Sequence, residues 1–415
     1  MNASARKEKD KLGSLEILPT EVLLVIFKYC TLRALGNVCQ TCKRLNGVVS
    51  DFIWYEKSRK ALVTNQISAD IQARSSHILS ATNKCRIACN WIRCRYKEKI
   101  YYPFKTKHLP WLVLERDLLW LSRGKCIQAF RRKRSGLVHV PCISLMGHSD
   151  DVCRFVSAGG LIVSGGRDGS VCGWSSNSGQ LQFCQRHSHR GDVVAVDMFG
   201  NIVVSGSHDK TVKLWRVSEQ GLIMLKLNID VGDRIWAVSV QPQGNICCVG
   251  SAGYWQVPPL HVFDMERGCK VMELEHNPQP GAGILDIKWE SPHEFLSGGY
   301  DASLRIYDVR TGCKVLMWED PYDSIIYSIA SDNLYTMMCG MGVNGRIHLW
   351  DKRHRMDTGK FYMSAQNSSP VYGVAFDPCQ LFAVLDQSLH VLDFTVFKDT
   401  PGSRCCPWSS GWVPQ

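Results

Sequence analysis

The sequence predicts a seven-bladed all-β propeller preceded by a small all-α domain and a helical linker. Three observations support this prediction. A strand–turn–strand motif recurs through most of the chain, an aromatic or apolar residue closes each copy at a nearly constant spacing, and the N-terminal segment carries apolar residues at helical spacing. A single unit of four short strands cannot bury its own faces, so several such units must pack around a common axis.

The clearest copies of the repeat are Val163–Trp174 and Val204–Trp215, and the same frame returns at Leu296–Tyr307 and Cys339–Trp350. Each reads as a strand, a tight turn with Asp or Asn, and a second alternating strand. The closing positions are Phe130, Trp174, Trp215, Phe263, Tyr307, Trp350 and Leu392, spaced 44, 41, 48, 44, 43 and 42 residues apart. The motif resembles the WD repeat, whose period is roughly 40–45 residues, and predicts seven blades over residues 99–396.

The resemblance to WD repeats implies two buried hydrogen-bonded networks. One would join His148, Ser164, Asp168 and Trp174, and the other His189, Ser205, Asp209 and Trp215. A buried Asp requires such partners, because an unpaired buried charge is costly. The remaining copies are degenerate: Tyr307 replaces Trp, Asn344 replaces Asp, and residues 251–259 form an irregular insertion in the fourth blade.

A strand from the N-terminal side completes the last blade of WD-repeat propellers. Here the resemblance assigns this role to Ile100–Phe104, which would pair with Ser388–Phe394. A chain that begins at Trp111 would then expose an unpaired strand edge. Residues 1–14 and the Pro-, Gly- and Ser-rich residues 397–415 are expected to be disordered.

Residues 15–59 predict a helical domain. Pro19 suits a first helical turn, and Ser50-Asp51 suits the start of a last short helix that carries Trp54. Between them, apolar residues recur at helical spacing: Val22, Leu23, Ile26, Phe27, Leu32, Leu35, Val38, Cys39, Cys42 and Leu45. A segment of this size forms only a weak core alone, so a partner is implied.

This helical segment resembles the F-box. The matching residues are Leu18, Pro19, Glu21, Ile26, Leu32, Leu35, Val38, Cys39, Arg44 and Trp54, and Leu45 departs from the Trp that many F-boxes carry nearby. The resemblance implies binding to a Skp-family adaptor, which connects to a cullin–RING scaffold. The adaptor-binding residues would be Leu18, Pro19, Val22, Ile26, Leu32, Leu35, Val38 and Trp54. We expect Leu18, Pro19, Ile26, Leu32, Leu35 and Val38 to be exposed in the isolated chain.

An F-box followed by WD repeats resembles the F-box/WD-repeat family of substrate receptors in SCF-type (Skp–cullin–F-box) ubiquitin ligases. The resemblance covers nearly all of the chain except its two ends, and it rests on residues Gly232–Trp236, Pro280–Asp286, Glu290–Pro292, Gly299–Asp301 and Ser369–Tyr372. It implies a non-catalytic subunit that holds a protein target, through a degron peptide, for ubiquitination and proteasomal degradation. Residues 60–98 are expected to be a helical linker that sets the distance between the two ends.

In WD propellers, residues near the start of each inner strand and the residue before the turn Asp face the narrow central opening. The resemblance assigns target binding to Trp236, Tyr327, Tyr372, Tyr300, Arg167 and His208, with Cys153, Val194 and Leu285 between them. Arg154 and Arg234 are expected to point away. The set is mainly aromatic with one Arg, which favours a degron with an apolar or aromatic anchor and at most one acidic group. The alternative is that several of these aromatics are packing residues between blades.

The net charge of +11 is concentrated in one stretch, because residues Asp51–Leu145 carry 19 Lys and Arg against six Asp and Glu. This concentration of charge predicts a solvated basic surface. The alternatives are a binding surface for an acidic partner and a nuclear import signal at Arg131–Arg134. Two rival functions are a WD-repeat scaffold without a ligase role and a protein that binds RNA through this stretch, although nucleic acid is disfavoured. An enzyme is disfavoured, since GxxxxGK[ST], HExxH and GxSxG motifs are absent.

The chain has 19 Cys, and its charged N-terminal residues do not resemble a secretory signal. No apolar run is long enough to cross a membrane, so we expect a cytoplasmic or nuclear protein without a membrane partner. In a reducing compartment the cysteines would be reduced thiols in the core. The one CxxC motif, Cys39–Cys42, lacks a second pair, so neither a metal nor another cofactor is expected.

Overall fold

The computed structural model describes residues 15–396, apart from 67, 102–105, 135, 140, 219–220, 255–256, 273, 275–280, 355–356 and 363–368, and also residues 404–405. Its N-terminal part is helical. A 3₁₀ turn at Leu15–Ile17 is followed by α1 (Thr20–Tyr29), α2 (Leu32–Val38), α3 (Lys43–Val48), a π-helical segment (Val49–Ile53), α4 (Trp54–Arg59), α5 (Ala69–Ser75) and α6 (Ala81–Ile92).

The rest of the chain forms seven antiparallel sheets, which confirms the predicted propeller. Blade 1 follows the strand β1 (Arg95–Tyr101) and contains β2 (Leu112–Leu114), β3 (Leu118–Arg123), β4 (Cys126–Lys133), β5 (Gly136–Leu137) and β6 (Ile143–Met146). Blade 2 contains β7 (Val152–Ala158), β8 (Leu161–Gly166), β9 (Val171–Ser175) and β10 (Leu181–Gln185), and blade 3 contains β11 (Val193–Phe199), β12 (Ile202–Ser207), β13 (Thr211–Val217) and β14 (Ile223–Asp230).

Blade 4 contains β15 (Ile235–Val240), β16 (Ile246–Ser251), β17 (Leu260–Asp264) and β18 (Lys270–Met272), and blade 5 contains β19 (Ile284–Trp289), β20 (Glu294–Gly299), β21 (Ser303–Asp308) and β22 (Cys313–Glu319). Blade 6 contains β23 (Ile326–Ser331), β24 (Thr336–Met341), β25 (Arg346–Asp351) and β26 (Asp357–Tyr362), and blade 7 contains β27 (Gly373–Phe376), β28 (Gln380–Val384) and β29 (Leu389–Asp393). The first strand of each blade contacts the first strand of the next, and β27 contacts β2, so the ring is closed.

Strand β1 completes blade 7. It pairs with β29 from Lys97 opposite Asp393 to Tyr101 opposite Leu389, which confirms the expected closure for Ile100 and Tyr101, while 102–104 lie outside the described residues. The strand begins at Arg95, earlier than predicted. A last strand, β30 (Arg404–Cys405), pairs with β1. The rest of residues 397–415 and residues 1–14 lie outside the described part of the chain.

Helix α6 connects the two domains and is packed into both cores. Cys85 belongs to the core of the helical domain, whereas Ile87 and Trp91 belong to a core cluster shared with blades 6 and 7. The Trp91 ring stacks on Phe394 with centroids 3.6 Å apart, and its Nε1 donates to the carbonyl of Pro378 at 3.0 Å. The helix ends at Ile92, before the expected linker end at 98. One helix thus fixes the orientation of the two domains.

The basic segment Arg131–Arg134 lies in and directly after β4, and one of its charges is internal. The Arg132 side chain is fully buried and pairs with Asp377 of blade 7. Burial lowers the pKa of Arg132, and the Asp377 carboxylate opposes this. Arg132 is therefore fixed between blades, whereas Arg131, Lys133 and Arg134 are exposed.

The core position expected of the cysteines holds for only part of them: Cys142, Cys269 and Cys313 are exposed, and the buried free thiols are Cys85, Cys94, Cys247, Cys248, Cys339 and Cys379. Cys172 of β9 and Cys184 of β10 are opposite each other, with Cα atoms 4.1 Å apart, and their sulfur atoms are joined as a disulfide. Burial raises the pKa of Cys247 to about 12, so that thiol stays neutral. Within the described ranges, no group of three His, Cys, Asp or Glu is placed to bind a metal, and no helix is long and apolar enough to span a membrane.

Candidate functional site

One face of helix α1 is apolar and exposed. Val22, Val25, Ile26 and Tyr29 lie at helical spacing on this face, and Ile17 in the preceding turn is also exposed. We call these five residues the F-box surface. On the other side of α1, Leu23 and Phe27 are buried in the helical core. Val22 and Ile26 were predicted from the sequence, whereas Val25 and Tyr29 were not, although the same helical periodicity indicates them.

The other predicted adaptor-binding residues fall into three groups. Pro19 is exposed, whereas Leu18, Leu32 and Val38 are half-buried against the helical core. Leu35 is 0% exposed and Trp54 is 7% exposed, and both belong to that core. The expected exposure of Leu35 is therefore wrong, because its side chain packs in the helical core, whereas the adaptor contact of Trp54 stays a prediction.

Arg44, one of the F-box motif residues, has a structural role. Its guanidinium donates to the main-chain carbonyls of Glu16 and Leu18, the latter at 2.7 Å. A forked guanidinium satisfies two carbonyl groups at once. Arg44 thereby ties the 3₁₀ turn to α3 and positions the N-terminal end of the F-box surface.

In blade 3 the four network residues meet. His189 Nε2 lies 2.8 Å from Ser205 Oγ, and its Nδ1 lies 3.1 Å from an oxygen of Asp209. Trp215 Nε1 donates to the same Ser205 Oγ at 2.8 Å. Burial lowers the pKa of His189 to about 4, against the opposing effect of Asp209, so the ring is neutral at pH 7. This set links strands β12 and β13, the turn between them and the loop before the blade.

In blade 2 only three of the four predicted residues form hydrogen bonds with one another. His148 lies 2.7 Å from Ser164 Oγ and 3.1 Å from Asp168. Trp174 packs beside His148 with ring centroids 5.8 Å apart, but its buried Nε1 has no hydrogen-bond partner among the described residues. Ser170 completes the set instead, because its hydroxyl contacts both His148 and Asp168.

The propeller presents the start of each inner strand and the turn between the second and third strands at one end, which we call the top face. Inner strands β7, β11, β15, β19 and β23 each contain a register shift at their second residue. The residues at these shifts are Cys153, Val194, Trp236, Leu285 and Tyr327. A β-bulge re-aims the side chain of the extra residue, so these five blades share the same local departure from strand alternation at one end of the propeller.

Five aromatic side chains follow one another across the top face from blade 3 to blade 7, and we call His208, Trp236, Tyr300, Tyr327 and Tyr372 the aromatic arc. Ring centroids are 4.6 Å apart for His208 and Trp236, 6.4 Å for Trp236 and Tyr300, and 5.4 Å for Tyr327 and Tyr372, all edge to face. Tyr300 is exposed and the other four are half-buried, so the arc is neither pure inter-blade packing nor fully open surface. Burial, assisted by Tyr327 and Asp386, raises the pKa of Tyr372 to about 12.

An ion pair crosses the central channel just below the arc. Arg154 of blade 2 donates to Asp286 of blade 5 at 3.1 Å, and its guanidinium lies over the ring of Trp111 at 4.0 Å. Strand alternation predicts that Arg154 points away from the channel. This prediction is wrong, because the bulge at Cys153 interrupts the alternation and Arg154 reaches Asp286. Arg167 remains exposed at the blade 2 side of the opening.

The comparisons with known proteins agree with both domains. The F-box-like family model matches residues 15–60, and the model of the WD domain, G-beta repeat, matches residues 139–175 and 180–216. A helical F-box joined to a WD-repeat propeller defines the F-box/WD-repeat class of proteins, and this chain belongs to that family.

Within the family, the chain is similar to F-box/WD repeat-containing protein 4. It is 34% identical to the mouse protein over 386 residues, which are 91% of this chain and 92% of the relative. It is 34% identical to the human protein over 384 residues, with the same coverage. The crystal structure of the computationally designed Ika8 protein has a TM-score of 0.53 at 20% identity, over 68% of this chain and 82% of that chain, which supports the fold alone.

Proposed function

We propose that this chain is the substrate receptor of an SCF-type ubiquitin ligase. The F-box surface binds a Skp-family adaptor, the adaptor connects to a cullin–RING scaffold, and the top face holds the target protein. The chain supplies no catalytic group; the ubiquitin thioester belongs to a conjugating enzyme that the RING subunit recruits. We place this activity in the cytoplasm or nucleus. The observation that carries the proposal is the exposed apolar face of α1 in a domain that matches the F-box-like model.

The exposed face has the properties of a protein interface. Val22, Val25, Ile26 and Tyr29 form a contiguous apolar stripe on one helix, while the side chains that stabilise the domain lie on the other side. A contiguous apolar patch on an otherwise polar surface marks an interaction site. Amphipathic helices bind grooves or partner helices through anchors at this spacing.

The linker geometry favours simultaneous binding of both partners. Helix α6 contacts the turn between β27 and β28 through Trp91 and Pro378. In an antiparallel blade this turn lies at the opposite end from the turns that carry Arg167 and His208. The helical domain therefore leaves the top face open, and a rigid connection raises the effective concentration of the target near the ubiquitin thioester.

Co-purification of the endogenous adaptor and cullin from cells tests the proposal. The full chain should recover both proteins, and the double variant Val22→Asp/Ile26→Asp should recover neither, because two charges would be buried in the interface. A matched control is Met224→Asp, since Met224 is 61% exposed on the outer strand β14 of the propeller. Recovery of adaptor by the double variant at the level of the full chain would contradict the proposal and favour the scaffold function.

A further inference from the structure

We infer that the top face recognises an unphosphorylated segment of the target through an aromatic or aliphatic side chain that packs against the aromatic arc. The inference rests on the proposed receptor function and specifies its substrate class. The arc supplies aromatic rings on blades 3 to 7, with edge-to-face contacts from His208 through Trp236 to Tyr300 and between Tyr327 and Tyr372. Such rings bury a large apolar area on binding and lose little conformational entropy.

The charge distribution disfavours a phosphoryl group. Phosphate is best held by several forked guanidinium groups. Arg154 is already engaged by Asp286 and by the Trp111 ring inside the channel. Two exposed guanidinium groups remain beside the arc, Arg167 on blade 2 and Arg234 at the entry to blade 4, and both act electrostatically on His208.

Acidic groups strengthen this argument. Asp192 lies 3.8 Å from His208, and Asp386, which acts on the Tyr372 hydroxyl, lies 3.8 Å from Lys107. The charge of Asp386 is balanced by Lys107, whereas Asp192 faces a histidine with a lowered pKa and would repel a doubly charged phosphate beside it. An uncharged side chain of the target would not be repelled by this carboxylate.

The arc also contains an unused hydrogen-bond donor. Trp236 Nε1 is buried and has no partner within the described ranges. Indole N–H groups in proteins usually find an acceptor when they are buried. A peptide that lies along the arc brings main-chain carbonyl groups to this region, which suits recognition of an extended segment. A phosphate that sits at Arg167 would leave this donor unused.

The test uses the full chain purified with its Skp-family adaptor and two peptide libraries as probes. One library is fully randomised and the other has a fixed central phosphoserine. We expect the randomised library to yield binders enriched in Trp, Tyr, Phe or Leu at one position. Synthetic copies of these peptides are then titrated by fluorescence anisotropy against the full chain and single variants.

Trp236→Ala and Tyr300→Ala should each weaken these peptides by at least about tenfold, the effect of removing an anchoring aromatic contact. Tyr300 is exposed, so its variant tests the arc without disturbing the core. Arg167→Ala should change affinity by less than about threefold. Phe199→Ala is the matched aromatic control, because Phe199 is 42% exposed at the opposite end of blade 3 and should have no effect.

Three results would overturn the inference: binders from the phosphoserine library alone, loss of binding in Arg167→Ala but not in Trp236→Ala and Tyr300→Ala, or no retained peptide from either library. None of these affects recovery of the adaptor and cullin by the F-box surface. The inference therefore fails separately from the receptor function, which the co-purification experiment tests by itself.

Discussion

The F-box surface is exposed and apolar, the aromatic arc is only partly exposed, and the two are built in different ways. The F-box surface comes from one helix and the turn before it, with Val22, Val25, Ile26 and Tyr29 in successive turns. The arc collects its side chains from blades 3 to 7, between His208 and Tyr372. The first surface depends on one amphipathic helix, whereas the second depends on closure of the whole ring.

This difference predicts different sensitivities. A local change on α1 alters one interface and leaves the propeller intact. A change that loosens blade packing displaces residues of the arc that are far apart in the sequence. Helix α6 is the element that connects the two surfaces, because Cys85 packs in the helical core and Trp91 packs between blades 6 and 7.

The largest effect is expected at this connection. Trp91→Ala removes the stack on Phe394 and the hydrogen bond to the carbonyl of Pro378. It should lower the free energy of unfolding by about 3–5 kcal/mol, the range for a buried aromatic residue. Urea unfolding followed by circular dichroism measures this cost. Trp91→Phe retains an aromatic ring and should cost less; equal stability of Trp91→Ala and the full chain would show that the linker is not fixed.

A pair of aliphatic variants separates core from interface within the F-box. Leu35→Ala should cost about 2–5 kcal/mol of folding stability, because the side chain is fully buried. Ile26→Ala should cost less than about 0.5 kcal/mol, since Ile26 is on the exposed face of α1, yet it should weaken adaptor binding more. Calorimetric titration with the purified adaptor and thermal unfolding provide the two readouts. If Ile26→Ala cost more folding stability than Leu35→Ala, the assignment of Leu35 to the core and of Ile26 to the exposed face of α1 would be contradicted.

Acid should destabilise the propeller through its buried histidines. Burial is the main cause that lowers the pKa values of His189 and His261 to about 4, from an ordinary value of 6.5. As pH falls from 6.5 toward about 4, the unfolded chain gains protons at these positions that the folded chain excludes, so stability decreases across this window. His261→Leu should make the decrease smaller when unfolding midpoints are compared at about pH 7 and about pH 5. If His261→Leu left the pH dependence of stability unchanged, the buried His261 would not contribute to the loss of stability in acid.

The smallest expected effect is the difference in folding stability between one variant of the blade 2 network and one variant of the blade 3 network. Trp215→Phe removes a donor from Ser205 and should cost about 1 kcal/mol beyond the loss of ring volume. Trp174→Phe should cost less, because the Trp174 N–H has no acceptor in the described part of the chain. Paired denaturation curves measure the difference, and a larger cost at Trp174 would show that its indole N–H is satisfied in solution.

The sequence predicts the features that repeat. The spacing of Trp174, Trp215 and Trp350 predicts the blade count, and the His–Ser–Asp sets of blades 2 and 3 occupy the positions that the WD resemblance assigns. Strand β1 closes blade 7 because a strand-like segment precedes the first repeat and the last repeat lacks an outer strand. These features depend on local periodicity, which a single sequence displays.

The features that were missed depend on direction and on distant contacts. Helical spacing alone does not tell which apolar face of α2 is the core, so Leu35 was predicted to be exposed although it is buried. Strand alternation assumes regular pairing, so the bulges and the inward direction of Arg154 were not predicted. The disulfide of Cys172 and Cys184 and the ion pair of Arg132 and Asp377 join residues whose proximity only the folded sheets create.

The central claim is that one chain uses both surfaces to remove the same targets. The most direct test compares the proteomes of cells that lack this chain and are complemented with the full chain, with Val22→Asp/Ile26→Asp, or with Trp236→Ala. We predict that one set of proteins accumulates in the deficient cells, returns to normal with the full chain, and remains elevated with either variant. If either variant restores that set to normal, the account of a receptor that requires both surfaces is contradicted.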